Sequence, residues 1–147
     1  MLHFIQLKME NGKLKIICTF VILFILLLIM ENIVASKSYQ FALRIVLLYK
    51  LLASERKEFV LSKQVLRSGT AVGALVKEAE HAQSKADFLN KMNVALKEAN
   101  ETEYWLMLLK DSAFISEIEF DSIYYDCKEL IKLLASIVKT TKTSLQK

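Results

Sequence analysis

Glu78 and His81 stand three residues apart, the Glu-x-x-His spacing by which di-iron helical bundles turn two ligands toward one core. That chemistry needs the motif on two helices and a further glutamate from each of two others. The only other histidine is His3, so one copy of the motif predicts a solvated helix end rather than a metal site. Ser68 and Thr70 flank Gly69 beside Arg67, but no histidine lies near them in sequence, and a hydroxyl nucleophile needs such a base. Cys127 falls at a helical core position, where a thiol packs as a small apolar group. Gly69-x-x-x-Gly73 lacks the Lys-Ser/Thr that completes a phosphate loop. Cys18, Cys127 and the two histidines are scattered, which leaves neither a zinc site nor a disulfide framework. A reducing, cytoplasmic compartment fits. No catalytic residue, metal or cofactor is expected, and the chain reads as a non-enzyme.

The basic residues offer a different chemistry. Lys128, Lys132, Lys139 and Lys142 recur at spacings of 4, 7 and 3, with Lys147 beyond them. Arg56, Lys63 and Arg67 recur at 7 and 4. Each set falls on one stripe of a helix and could contact nucleic-acid phosphates. Repeated around an oligomer, such contacts would give a steeply salt-dependent affinity. An ordinary solvated face is the plain alternative. Glu98, Glu101 and Glu103 accompany Tyr104 and Trp105. Acidic groups there repel phosphate, so this patch reads either as a subunit or partner contact anchored by Trp105, or as a core tryptophan with solvated glutamates around it.

The elements that must position these groups are helices. The chain has 147 residues, no proline and three glycines, Gly12, Gly69 and Gly73. Tight turns that need positive φ are therefore scarce, which argues against a hairpin-rich sheet. Helix 1 is expected over about 37–53, with Phe41, Ile45, Leu48 and Leu52 on one seam. Helix 2 is expected over about 57–80 through Leu61, Val65, Ser68, Val72, Leu75 and Ala79. Gly69 and Gly73 lie beside that seam, where close approach of another backbone would offset glycine's helix penalty of about 1 kcal/mol. Helix 3 opens with the cap pair Ser84 and Asp87 and continues through Phe88, Met92, Ala95, Ala99, Thr102, Leu106 and Leu109. Its small residues Ala95 and Ala99 would also admit a close neighbour. Helix 4 opens with the capping box Ser116 and Glu119. It carries two apolar rows, one through Phe120, Tyr124, Cys127, Ile131, Leu134, Val138 and Thr141, the other through Ile123, Leu130 and Ile137. That width exceeds what a monomeric bundle needs and predicts a homo-oligomer. Short connections force antiparallel neighbours. The expected fold is all-α: an antiparallel up-down-up-down four-helix bundle over 30–147, preceded by an extra apolar segment at 1–29.

That segment is a separate problem. Ile16 to Met30 is apolar except for Thr19 and follows Lys8, Lys13 and Lys15. A run of 15 residues is short of the roughly 20 that span a bilayer. It fits a signal peptide better, with Val34-Ala35-Ser36 as small residues for cleavage. Met30 is also a natural start for a helical domain, in which case 1–29 is a misassigned extension, and burial as an extra helix is a further option. A genuine anchor would make the membrane a partner and place the bundle outside the cytoplasm. Charge decides little: residues 30–147 carry 17 basic and 15 acidic side chains, and 1–29 add Lys8, Lys13 and Lys15 against Glu10.

The stretches FALRIV at 41–46, FVLSKQVLRSGT at 59–70, QSKADF at 83–88 and ALKEANETEYWL at 95–106 resemble the four-helix-bundle proteins encoded in 23S rRNA intervening sequences. The likeness covers about Met30 to Leu145 and leaves 1–29 without a counterpart. It implies an antiparallel bundle, often a barrel-like homopentamer. A related branch, the accessory variability proteins of diversity-generating retroelements, binds nucleic acid and a reverse transcriptase and is markedly basic. The near-balanced charge here departs from that branch, so a retroelement role is not expected. The reading that results is a cytoplasmic, non-enzymatic homo-oligomer whose partner is RNA or an RNA-associated protein. The competing reading is a protein-binding scaffold without nucleic-acid affinity.

Overall fold

The structure, a computed structural model, describes residues 12–146. His3, Lys8, Glu10 and Lys147 lie outside the described residues, as do the side chains of Lys13, Lys15, Cys18 and Met30. The described residues form four helices, α1 (Gly12–Ser54), α2 (Leu61–Ala79), α3 (Lys85–Asp111) and α4 (Glu117–Leu145). Each packs on the next, and α4 closes back on α1. The connections are too short for crossovers, so the helices alternate in direction around one core.

α1 begins well before the expected residue 37 and runs unbroken through Val34, Ala35 and Ser36. No proline or glycine follows Gly12 in this stretch, and Glu31-Asn32 alone is not a stop. The buried seam also starts earlier: Val34 and Ser38 precede Phe41, Ile45, Leu48 and Leu52. Upstream, Val21 to Leu26 and Ile29 are exposed. The apolar run from Ile16 to Met30 is thus helical and continuous with the bundle. Among the described residues, no helix is long and apolar enough to cross a membrane.

α2 starts later than expected, at Leu61 rather than 57. Lys57 takes the left-handed conformation, with φ 54°, and swings Glu58 inward. The buried Glu58 carboxylate then accepts the backbone N–H groups of Val60, Leu61 and Ser62 at 2.9, 2.8 and 2.6 Å. A carboxylate at this positive helix end satisfies donors that have no intrahelical partner. Burial pushes its pKa up, but the backbone hydrogen bonds outweigh burial and hold it below the usual 4.5.

The two later helices start where their caps place them. Ser84 accepts Asp87 N–H at 3.1 Å, while Asp87 accepts Gln83 N–H rather than that of Ser84. Ser116 and Glu119 form a reciprocal capping box. Between these helices Ala113 turns to φ 59°, and Phe114 N–H returns to the Leu109 carbonyl at 2.9 Å. This ends α3 in the left-handed manner that glycine usually supplies.

The α3 seam buries Met92, Ala95, Ala99, Thr102, Leu106 and Leu109. In α4 the two rows merge into one buried seam: Phe120, Ile123, Cys127, Leu130, Leu134, Ile137 and Thr141. Tyr124, Ile131 and Val138 flank it, half-buried against the same core. The wide apolar arc of α4 is therefore covered within the chain, and its width is no ground for another subunit.

Candidate functional site

Gly69 and Gly73 set the distance between α1 and α2. A β-carbon at Gly69 would lie 2.7 and 2.9 Å from the two γ-carbons of Ile45. At Gly73 it would lie 3.3 Å from the Ser38 carbonyl oxygen. On the other side, Ala95 and Ala99 are fully buried, and the Ala99 carbonyl accepts the Cys127 thiol at 3.4 Å. These approaches fix which helix faces reach solvent, and so where the basic residues point.

The seven basic residues singled out from the sequence divide into two groups. Arg56 pairs with Glu119, Arg67 with Glu101 and Lys128 with Glu103 at 2.9 Å. Lys63, Lys132, Lys139 and Lys142 are exposed, and none has an acidic partner among the described residues. The stripe expected on α2 is thereby reduced to Lys63: Arg56 lies ahead of the helix, in the α1–α2 connection, and both arginines pair with carboxylates of other helices. The stripe on α4 keeps three free ammonium groups over three turns, toward its C-terminal end.

Glu103 anchors the other end of the α4 face. It accepts Tyr124 O–H at 2.7 Å and Lys128 N–H at 2.9 Å. Burial raises its pKa, but these two hydrogen bonds and the Lys128 charge prevail and the net shift is downward. Glu101 accepts Trp105 Nε1–H at 3.1 Å as well as Arg67. Trp105 is half-buried against the core, and Tyr104 meets it edge-on at 5.1 Å, itself 55 % exposed. Glu101 and Glu103 thus tie α3 to α2 and α4, whereas one Glu98 carboxylate oxygen is buried without a hydrogen-bond partner; Tyr104 and Met107 form the exposed part of the patch.

The groups that could do covalent or metal chemistry are occupied elsewhere. Glu78 pairs with Lys91 at 3.1 Å, and His81 is exposed beyond the end of α2. No group of three metal-ligating side chains exists among the described residues. Ser68 donates to the Gln64 carbonyl and Thr70 to that of Leu66. Thr102 Oγ1 lies 2.9 Å from Ser68 Oγ and 2.7 Å from the Glu98 carbonyl, closing a small buried polar link between α2 and α3. Burial first, and then the charge of Glu103, push the Cys127 thiol up to about 12, the opposite of an activated nucleophile.

Sequence reasoning missed the contacts that join α1 to α4. Arg44 donates to Ser122 and Asp126, and Lys37 to Glu129 at 2.8 Å. It also missed Glu58, whose only signal is an acidic residue just ahead of an apolar helical run.

An antiparallel bundle whose polar groups mostly tie helix to helix is the class this geometry defines. The sequence profile of the 23S rRNA-intervening sequence protein family matches residues 30–136, and the chain belongs to that family. It is also similar to a protein of unknown function from the S23 ribosomal protein family of Bacteroides thetaiotaomicron, known from its crystal structure. That likeness has 59 % sequence identity and a TM-score of 0.74, covering 75 % of this chain and 98 % of the other. None of the curated proteins matches the chain.

Proposed function

We propose that this protein is a non-enzymatic, cytoplasmic homo-oligomer that binds RNA through the α4 lysine stripe. The observation that carries the reading is the set Lys132, Lys139 and Lys142, exposed on one arc and unneutralised. Free ammonium groups at helical spacing suit a row of phosphates, and their bound counterions would be released on contact. Assembly is supported by apolar side chains left at the α1–α4 groove: Leu47 and Ile118 line it and are largely exposed. Five subunits is the number the family resemblance implies. Each added subunit would repeat the stripe and raise the avidity for one RNA.

The test is a fluorescence-anisotropy titration of a labelled structured RNA against two charge reversals. Lys132→Glu with Lys139→Glu removes binding while the oligomeric mass is kept. Arg56→Glu with Arg67→Glu changes affinity much less, because those arginines already face carboxylates. Equal affinity of the first variant and the unaltered chain would sink the reading.

A second reading is a protein-binding scaffold, favoured by the exposed Tyr104 and Met107 beside Trp105. Under it, Tyr104→Ala abolishes partner capture, and the lysine reversals do nothing.

A further inference from the structure

The first part of α1 projects beyond the rest of the bundle. Upstream of Val34, where the buried seam begins, Val21 to Leu26, Ile29 and Ile33 are each 40–62 % exposed. The six consecutive residues from Val21 go round more than one full turn, so no face of that stretch is covered by the chain itself. Monomers rarely leave more than a few hundred Å² of contiguous apolar surface in water. The run of 15 residues from Ile16 to Met30 is short of the roughly 20 that span a bilayer. It also lacks the charged face with which an amphipathic helix lies among lipid headgroups. A protein surface suits it better.

One row of the projecting helix is built for such a surface. Ile22, Leu26, Ile29 and Ile33 stand at spacings of 4, 3 and 4 and are all exposed, the rhythm of a coiled-coil seam. The same rhythm continues into polar residues on both sides, Thr19 before the row and Ser36 and Gln40 after it, all exposed. An apolar quartet thus lies between polar ends.

This row is self-complementary when turned end for end. With Ile22 opposite Ile33 of a second copy and Leu26 opposite Ile29, every apolar position meets an apolar one, and Thr19 meets Ser36. The partner's first turns would then run along the outward face of α1, which is open at Ser36, Gln40 and Leu43. A parallel pair would instead set the Lys13 and Lys15 positions of the two copies side by side, where like charges repel. The row with its flanking Leu23 and Ile25 leaves on the order of 500 Å² of apolar surface in water per copy. Two copies together reach about 1,000 Å², the area that a specific interface must clear.

We propose that the projecting part of α1 pairs antiparallel with the same segment of a second copy through Ile22, Leu26, Ile29 and Ile33, joining two bundles end to end. The family match begins at residue 30, so most of this contact lies ahead of the shared fold. It rests neither on the lysine stripe nor on the α1–α4 groove.

Sedimentation velocity of the full chain reads the pairing. Ile118→Glu first removes any contact through the groove, and in that background the chain sediments as a dimer. Adding Leu26→Glu halves the mass, and so does adding Ile29→Lys. Mixing these two variants restores the dimer, because the new carboxylate faces the new ammonium group only in an antiparallel pair. With Cys18→Ser, a short bismaleimide joins Ile22→Cys copies to Ile33→Cys copies and not to themselves. These positions stand outside the bundle core, and circular dichroism verifies that its helices are kept. A monomer in the Ile118→Glu background, a dimer that survives Leu26→Glu, or an Ile22→Cys self-crosslink would overturn the proposal. So would monomeric flotation with phosphatidylcholine–phosphatidylglycerol vesicles, which would give the segment to a bilayer.

Discussion

Replacing Gly69 by alanine sets two effects against each other. Alanine gains about 1 kcal/mol over glycine in a helix interior. The new methyl would fall 2.7 and 2.9 Å from the γ-carbons of Ile45, well inside contact distance. Ile45 is completely buried and β-branched, so rotation about χ1 does not clear both carbons. Overpacking of this kind costs about 1–3 kcal/mol, and the stiffness of Ile45 puts this case in the upper part of that range. The net expectation for Gly69→Ala is a loss of about 1–2 kcal/mol, a fall in Tm of roughly 2–4 °C per kcal/mol for a chain of this size. Gly73→Ala meets the Ser38 carbonyl oxygen at 3.3 Å and the Ala42 β-carbon at an ordinary 3.8 Å. There the propensity gain and the crowding nearly cancel, to within about 1 kcal/mol. Urea unfolding of both variants measures the contrast. A double-mutant cycle with Ile45→Ala locates it. That truncation alone costs about 2–5 kcal/mol. It also opens room for the new methyl, so Gly69→Ala costs about 1–2 kcal/mol less beside Ile45→Ala than in the unaltered chain. If Gly69→Ala stabilises the chain as much as helix propensity alone would, the close approach of α1 and α2 is refuted.

Two other perturbations follow from the helix ends. Glu58→Ala strips three backbone donors of their acceptor and costs about 2 kcal/mol at pH 7. Because Glu58, Glu103 and Glu119 all titrate below their ordinary 4.5 in the folded chain, their stabilisation is complete above that value. It is lost as pH falls through the lowered folded values. The difference between Glu58→Ala and the unaltered chain therefore shrinks when urea unfolding is repeated below pH 4.5, and a constant difference would remove Glu58 from the acid response. Ala113→Gly relieves a left-handed residue at φ 59° and raises stability by about 1 kcal/mol, read as a higher urea midpoint.

The seams were legible because helical periodicity is local: six of the seven expected α3 positions are buried, and Phe88 is half-buried. Ser84 and Ser116 announced their helix starts for the same reason. The start of α2 was hidden because Arg56, Lys57 and Glu58 are ordinary helix formers, and no glycine or asparagine marks the positive φ at Lys57. The basic stripes were legible as spacing but not as free charge. Whether Arg67 meets Glu101, or Lys128 meets Glu103, depends on the register between helices, which no local pattern encodes. The second apolar row of α4 misled in a similar way: Ile123, Leu130 and Ile137 read as surplus until the core closed over them. Thr141 was visible as a seam position, whereas its unpaired hydroxyl is a property of the packed end alone.

The central claim is that RNA is bound through free lysines rather than through an enzyme site. Its most direct test is the affinity of the full chain for structured RNA at several salt concentrations, with oligomeric mass checked at each. The account predicts a straight fall of log affinity with log salt, with a slope of about −2 to −3 for each subunit that engages three lysines. No binding at low salt, or an affinity indifferent to salt, would contradict it.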